Sequence, residues 1–208
     1  MEKKVRIAVL VSGGGTNLQA LIDAEKSGII KSGEIVLVVS SKSDAYALTR
    51  AADAGIPTAV AARRLLKTQE KFEKQILSYL EESKIDVIVL AGFMSILSEN
   101  FVKKYPKRIL NVHPALIPSF CGEGYYGLRV HEAALAKGVK LTGATVHYVN
   151  EIADGGEIIA QKAVAVKKGD TPEKLQRRVM EKAEWIILPR ATESVCAAIL
   201  KENAKNKK

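Results

Sequence analysis

Apolar positions in the first half of the chain fall into short blocks separated by stretches with a helical rhythm. Val5–Val11 is a β-branched run broken by one charge, the pattern of a strand covered on both faces. A glycine turn follows, and a helical stretch begins at Leu18 and ends near Gly28. Residues 35–39 read as a second strand, 45–54 as a helix closed by Gly55, and 58–61 as a short third strand. In Gln69–Glu82, Phe72, Ile76, Leu77 and Leu80 recur at helical spacing, and 87–91 and 109–112 are again buried-strand patterns. Strands separated by helices imply right-handed crossovers. The expected fold is therefore α/β, a Rossmann-like, mainly parallel sheet with helices on both faces.

The second half has a different rhythm. Residues 114–127 are glycine-rich and non-periodic, the kind of long loop that usually carries function. Residues 142–149 and 157–166 both read as strands, and the short 150–156 connection makes them an antiparallel pair. A last helix starts near Pro172 and runs to about Leu200, with at most a break at Pro189; the charged stretch 201–208 reads as a flexible tail. With no repeat and no linker, 1–208 reads as a single domain. Its halves divide near 105, the first suited to nucleotide binding and the second, about 106–200, to catalysis.

Composition narrows the setting. The 208 residues are 47% hydrophobic and 26% charged, an ordinary globular balance. No apolar run approaches the roughly 20 residues of a membrane helix. The start, Met1-Glu2-Lys3-Lys4, leads straight into a strand pattern, unlike a secretory signal. A cytoplasmic protein without membrane attachment is expected. Cys121 and Cys196 have no Cys or His neighbour at metal spacing, so they read as reduced thiols and no metal is expected. The net charge of +9 suits nucleic acid or small anionic substrates. With 5% aromatic residues and no aromatic-and-basic module, small anions are favoured and nucleic acid is not expected. Monomer and homodimer both fit.

Two clusters carry chemistry. Ser12-Gly13-Gly14-Gly15-Thr16-Asn17 lies between the first strand and its helix, where free backbone N–H groups and the positive end of the helix dipole attract a phosphate. No lysine follows the last glycine, which excludes a Walker loop. Leu18 stands where a dinucleotide fingerprint needs glycine, and Ser40-Ser41 where it needs an acid, so a monophosphate fits better. A tight turn without a ligand would use the same residues. The second cluster is Asn111-Val112-His113-Pro114 with Asp154-Gly155-Gly156. Strand alternation puts Asn111 and His113 on one face. A histidine moves protons near neutral pH, a carboxylate beside it favours its charged form, and an asparagine amide can donate to an oxyanion. No serine or cysteine is paired with a base, so direct acyl transfer to an amine is favoured over a covalent acyl-enzyme. Structural histidines and Asp-Gly hairpin turns are the plain alternatives, and His131 and His147 are left outside the cluster.

These segments, with Leu90-Ala91-Gly92-Phe93-Met94 and Gly143-Ala144-Thr145-Val146-His147, resemble the folate-dependent formyltransferases from about residue 5 to 200. Within that family, the glycine loop and single-domain length are similar to the branch acting on glycinamide ribonucleotide. The resemblance implies formyl transfer from 10-formyltetrahydrofolate, a co-substrate, to the amine of 5'-phosphoribosylglycinamide in purine synthesis. Asn111 and His113 would polarise the formyl group, and Asp154 would pair with His113. Gly15, Thr16 and Asn17 match the phosphate site. Glu184 matches a ribose ligand, displaced by one residue relative to Arg178-Val179. Met94, Ile96 and Leu97, with Asn111 and the Asp154 turn, match the folate pocket, and a cis peptide before Pro118 is implied. Departures are Ser95 and Gln69 in place of arginines on the folate side, with Arg63 and Arg64 close to the latter, and a longer loop at 119–127. A deformylase of the same fold or a non-catalytic sugar-phosphate-binding regulator are the competing readings. The glycine loop disfavours the first and the intact Asn–His–Asp set the second.

Overall fold

The computed structural model describes residues 4–206. The chain runs β1 (Val5–Val11), α1 (Thr16–Lys26), β2 (Gly33–Ser40), α2 (Tyr46–Asp53), β3 (Thr58–Val60), α3 (Arg63–Leu66), α4 (Gln69–Glu82) and β4 (Val87–Leu90). It continues through α5 (Glu99–Val102), β5 (Ile109–His113), α6 (Leu128–Lys137), β6 (Leu141–Tyr148), β7 (Ile158–Ala165) and α7 (Pro172–Val179). A π-turn (Met180–Glu184) then leads into α8 (Trp185–Lys205). One sheet of seven strands forms in the order β3-β2-β1-β4-β5-β6-β7. Pairing is parallel from β3 through β5 and antiparallel for β5–β6 and β6–β7, as the two rhythms of the sequence imply.

The β1 pattern is explained by its position. Val5, Ile7, Val9 and Val11 pack with α1, α7 and α8 on one side, while Ala8 and Leu10 pack with Phe72, Ile76 and Phe101 on the other. Val87 and Val89 against Ile88 and Leu90 divide in the same way on β4. Each fully buried aliphatic side chain contributes roughly 1.5–3 kcal/mol, so both layers are needed to hold these strands. Strand order reverses between β1 and β4, and the crevice at such a reversal, beyond the carboxyl ends of the strands, is where open α/β sheets bind ligands. Thr68, Ser98 and Thr171 cap α4, α5 and α7 through their side chains, whereas α1 starts from Gly15 without a capping side chain.

Several elements differ from the sequence pattern. No periodic run marks α6, which buries only Val130, His131 and Ala134, and α3 and α5 are single turns of four residues. The last helix passes through Pro189 without a break. Its irregularity lies upstream, in the π-turn, where i→i+5 bonding accommodates one residue more than an α-helical turn. That extra residue accounts for the one-position displacement of Glu184. The expected flexible tail is corrected as well, since α8 continues to Lys205 and ends at Asn206; residues 207–208 and Met1–Lys3 lie outside the described residues. The implied cis peptide is present at Ile117-Pro118. No helix among the described residues is long and apolar enough to cross a membrane.

The β6–β7 pair leaves no room at Gly143, where a Cβ would run into the Lys162 carbonyl and the Leu116 side chain. Gly143→Ala should cost about 1–3 kcal/mol through overpacking, read as a lower urea midpoint with an unchanged slope. A midpoint equal to wild type would show that the hairpin yields freely there.

Candidate functional site

Both clusters sit beyond the carboxyl ends of the parallel strands. At β1, Ser12 Oγ lies 2.7 Å from Ser41 Oγ and accepts from the Met94 amide at 2.9 Å, so one hydroxyl joins the ends of β1, β2 and β4. Gly13 accepts from the Ala47 amide, and Arg50 Nε donates to the Gly14 carbonyl at 2.9 Å. Gly15 has φ 73°, and a Cβ there would meet Ala47 at 2.7 Å, so only glycine allows α2 to approach this closely. Around Gly13 and Gly14 nothing lies within 4 Å of a built Cβ, which leaves the loop open to an anion. Arg50 is the cation beside the loop that the sequence did not single out; its place four positions into α2 gave no signal.

The polar side chains at the start of α1 turn away from that opening. Thr16 Oγ1 faces Met180 Sδ at 3.8 Å, and Asn17 Nδ2 donates to Glu184 Oε2 at 2.7 Å. Glu184 and Asn17 are buried, and Asn17 Oδ1 has no partner. Burial pushes the Glu184 carboxyl up to about 7, against the lowering effect of the Asn17 hydrogen bond. The π-turn thus brings residue 184 against the glycine loop from the far end of the chain.

At β5, alternation puts Asn111 and His113 together as expected. His113 Nδ1 lies 3.4 Å from Asp154 Oδ2, and Asn111 Nδ2 lies 3.4 Å from Asp154 Oδ1. Asp154 sits in a left-handed conformation, φ 55°, in the turn before β7. His147, opposite Asn111 in the β5–β6 register, completes the group: its Nε2 is 3.2 Å from Asn111 Nδ2 and 3.5 Å from Asp154 Oδ1. Its Nδ1 donates to the Tyr148 carbonyl at 2.8 Å. The sequence reading had set His147 aside; only strand register could have found it.

The long 119–127 loop folds onto this cluster. The Gly122 amide donates to Asp154 Oδ2 at 2.9 Å, and His113 Nε2 donates to the Phe120 carbonyl at 2.8 Å. Burial lowers the His113 pKa, while the Asp154 charge and the Phe120 carbonyl raise it; burial prevails. Burial would raise the Asp154 pKa, but the His147 hydrogen bond, the His113 imidazole and the Gly122 amide together bring it below the ordinary value.

The 94–98 segment is mixed. Met94 and Ile96 are exposed beside the crevice, whereas Leu97 is buried in the core under β4. Gln69 Nε2 donates to the Ile96 carbonyl at 2.9 Å and to Glu73 Oε1 at 2.6 Å, and Glu73 also accepts from the Ser98 amide. Arg63 Nη2 donates to Gln69 Oε1 at 3.2 Å with its guanidinium over the Phe72 ring. The glutamine therefore anchors this loop, and Arg63 is the cation next to it.

The formyl transferase family model matches residues 5–192. The chain belongs to the formyl transferase family. A trifunctional purine biosynthetic protein adenosine-3 from Homo sapiens is 46% identical over 206 residues, covering 98% of this chain and 20% of that protein, so the chain spans about a fifth of its length. A phosphoribosylglycinamide formyltransferase from Haemophilus influenzae is 42% identical over 88% of this chain and 84% of the relative. The crystal structure of glycinamide ribonucleotide transformylase 1 from Symbiobacterium toebii superposes with a TM-score of 0.88 at 37% identity, covering 95% of this chain and 90% of that one. Every residue of both clusters lies within the part matched by the formyl transferase family.

His131 is a separate case. It is fully buried on α6, neither ring nitrogen has a partner, and burial, then the His113 charge, push it down to about 4. A histidine lowered on folding leaves the unfolded state binding more protons, so stability falls as pH drops from 6.5 towards about 4, by up to about 3 kcal/mol. His131→Leu should flatten that part of the stability curve, measured by urea unfolding at each pH. An unchanged slope would mean that His131 is not the group responsible.

Proposed function

We propose that this chain transfers the formyl group of 10-formyltetrahydrofolate to the amine of 5'-phosphoribosylglycinamide, in the cytoplasm and as a step of purine synthesis. The observation that carries the reading is the Asn111–His113–Asp154 group facing the crevice whose other wall is the glycine loop with Glu184. The names of the relatives over most of this chain's length support the substrate pair.

The substrate phosphate rests on the backbone N–H groups at Gly15, Thr16 and Asn17, with Arg50 adding charge and Glu184 taking ribose hydroxyls. The pterin lies against Met94 and Ile96 over the buried Leu97, with the Asn111 amide and the Asp154 turn providing polar contacts. The amine attacks the formyl carbon, a C–N bond forms, and the carbonyl oxygen becomes an oxyanion. Asn111 Nδ2 and a protonated His113 donate to that oxygen. Preorganised donors act where charge develops, in a site that excludes water. Asp154 keeps His113 charged and takes the proton lost by the amine. Collapse breaks the bond between the formyl carbon and N10 of the folate, and the proton ends on N10. His113 Nε2 is bonded to the Phe120 carbonyl in the empty site, so the loop gives up that nitrogen to the substrate oxygen.

The direct test is formyl transfer to 5'-phosphoribosylglycinamide from 10-formyltetrahydrofolate, with a control containing no amine. Transfer is expected, and formate release alone would make the protein a deformylase. His113→Ala and Asn111→Ala should each lower kcat about 10²–10³-fold while folate binding survives. Near-native turnover in either folded variant would remove that residue from the mechanism.

The folate tail offers a second test. Ser95 is uncharged and Gln69 is committed to Ile96, so Arg63 is the cation nearest the glutamate carboxylate. Arg63→Gln should weaken the glutamate-bearing donor by about tenfold, the scale of one charge-assisted hydrogen bond. A donor without the glutamate should bind as before. An equal change in both would place Arg63 in loop packing instead.

A further inference from the structure

Asn17 and Glu184 form a pair whose unfilled valences are informative. Asn17 is only 9% exposed, and its amide hydrogen is committed to Glu184 Oε2 at 2.7 Å. The amide orientation follows from that partner, because Nδ2 is the only group of Asn17 that can donate to a carboxylate. Its Oδ1 is left buried without a donor, a state that native structures rarely tolerate unless a ligand or water completes it. A phosphate cannot complete it, since phosphate oxygens at neutral pH offer acceptors and little else. A hydroxyl can.

Glu184 has the same need. Besides Asn17 it has no hydrogen-bond donor among the described residues, and no cation pairs with it. Its second oxygen and Asn17 Oδ1 are therefore two open acceptors on one rigid unit. Vicinal ribose hydroxyls are two donors at matching separation. The backbone makes the unit rigid: Asn17 is fixed in the first turn of α1, and Glu184 closes the π-turn. Both ends of that turn meet the start of α1, Met180 at Thr16 and Glu184 at Asn17. In an unbroken α-helix each residue is turned about 100° from the last. The wider turn is what allows Ala183 to stay in the core while Glu184 is also buried against the loop.

We propose that Asn17 and Glu184 read the ribose diol of the substrate as a single unit, with Asn17 acting as the positioning residue for Glu184 and offering its own Oδ1 to one hydroxyl. The side chain of Asn17 then contributes nothing to phosphate recognition, which falls to the loop backbone. This rests on the formyl-transfer reading, and the experiment separates the two.

Binding and kinetics of the full chain are measured with 5'-phosphoribosylglycinamide, its 2',3'-dideoxy analogue and its dephosphorylated form. Wild type should prefer the ribose over the dideoxy sugar by about tenfold or more, the scale of one to two hydrogen bonds to a charged group. Asn17→Ala should raise KM by about tenfold with kcat within about twofold, abolish most of the preference for the diol, and leave the preference for phosphate intact. Asn17→Ala combined with Glu184→Ala should be no worse than Glu184→Ala alone, because the two act together. Asn17→Ser, which keeps a small hydrogen-bonding group, should recover part of the diol preference, and it carries the measurement if Asn17→Ala fails to fold. Loss of phosphate preference with diol preference retained would overturn the inference, as would additive effects in the double variant. Failure of wild type itself to bind the phosphoribosyl substrate would overturn the formyl-transfer reading, and this inference with it.

Discussion

Taking a carboxylate out of water is costly unless donors replace the lost hydration, and Asp154 meets that demand with groups from four separate segments. Asn111 and His113 come from β5, His147 from β6, and the Gly122 amide from the long loop. Because the carboxylate keeps its charge only if all of them converge, it fixes the spacing of β5, β6, the loop and the turn before β7. The left-handed backbone at Asp154 belongs to the same constraint, since a regular hairpin would aim the side chain elsewhere. The antiparallel addition to a parallel sheet thus serves a purpose: it returns the chain to the end of β5 with a carboxylate in hand.

Glu184 solves the same problem in a different way. It has one neutral donor, Asn17, and its carboxyl rises from 4.5 to about 7. A raised carboxyl favours the fold when protonated, so ionising it on going from pH 4.5 to 7 removes on the order of 3 kcal/mol of stability. Asp154 contributes in the opposite sense, its lowered pKa adding stability that is lost only as pH falls through the folded value. The two buried acids divide the crevice between a charged, fully bonded group at the cluster and an under-bonded acceptor at the glycine loop. An under-bonded acceptor is a natural seat for hydroxyl groups.

Legibility in the sequence followed the strength of each local signal. β1 and β4 were readable because strands buried on both faces keep their apolar run whatever surrounds them. Asn111 and His113 were readable from strand alternation, and the glycine loop from the steric needs of a tight strand-to-helix turn. Helix α6 was not, because ten residues burying Val130, His131 and Ala134 are too few and too small to set a period. His147 was missed because its role comes from register with Asn111, which no local window contains. The π-turn was missed for a similar reason: one surplus residue in a helix is silent until its ends are pinned, here by Thr16 and Asn17. Pro189 was the more visible breaker, yet α8 carries it close to its start, where a proline costs least.

The state of His113 in the empty site follows from its two neighbours. Nε2 faces a carbonyl, which requires a proton on that nitrogen, and Nδ1 faces a carboxylate, which favours a second one. Burial opposes the double charge, so the imidazole is held between a cost of desolvation and two acceptors that reward protonation. Formyl transfer uses such a balance. When the Phe120 carbonyl gives way to the formyl oxygen, one carbonyl replaces another at Nε2 and little hydrogen-bond energy changes. As that oxygen becomes an oxyanion, the acceptor at Nε2 strengthens and the protonated form is favoured at the moment it is needed. The loop carbonyl acts as a stand-in for the ground-state substrate, and the imidazole is solvated by the protein before the substrate arrives. Catalysis then gains from the difference between a carbonyl and an oxyanion, the part of the interaction that exists only in the transition state.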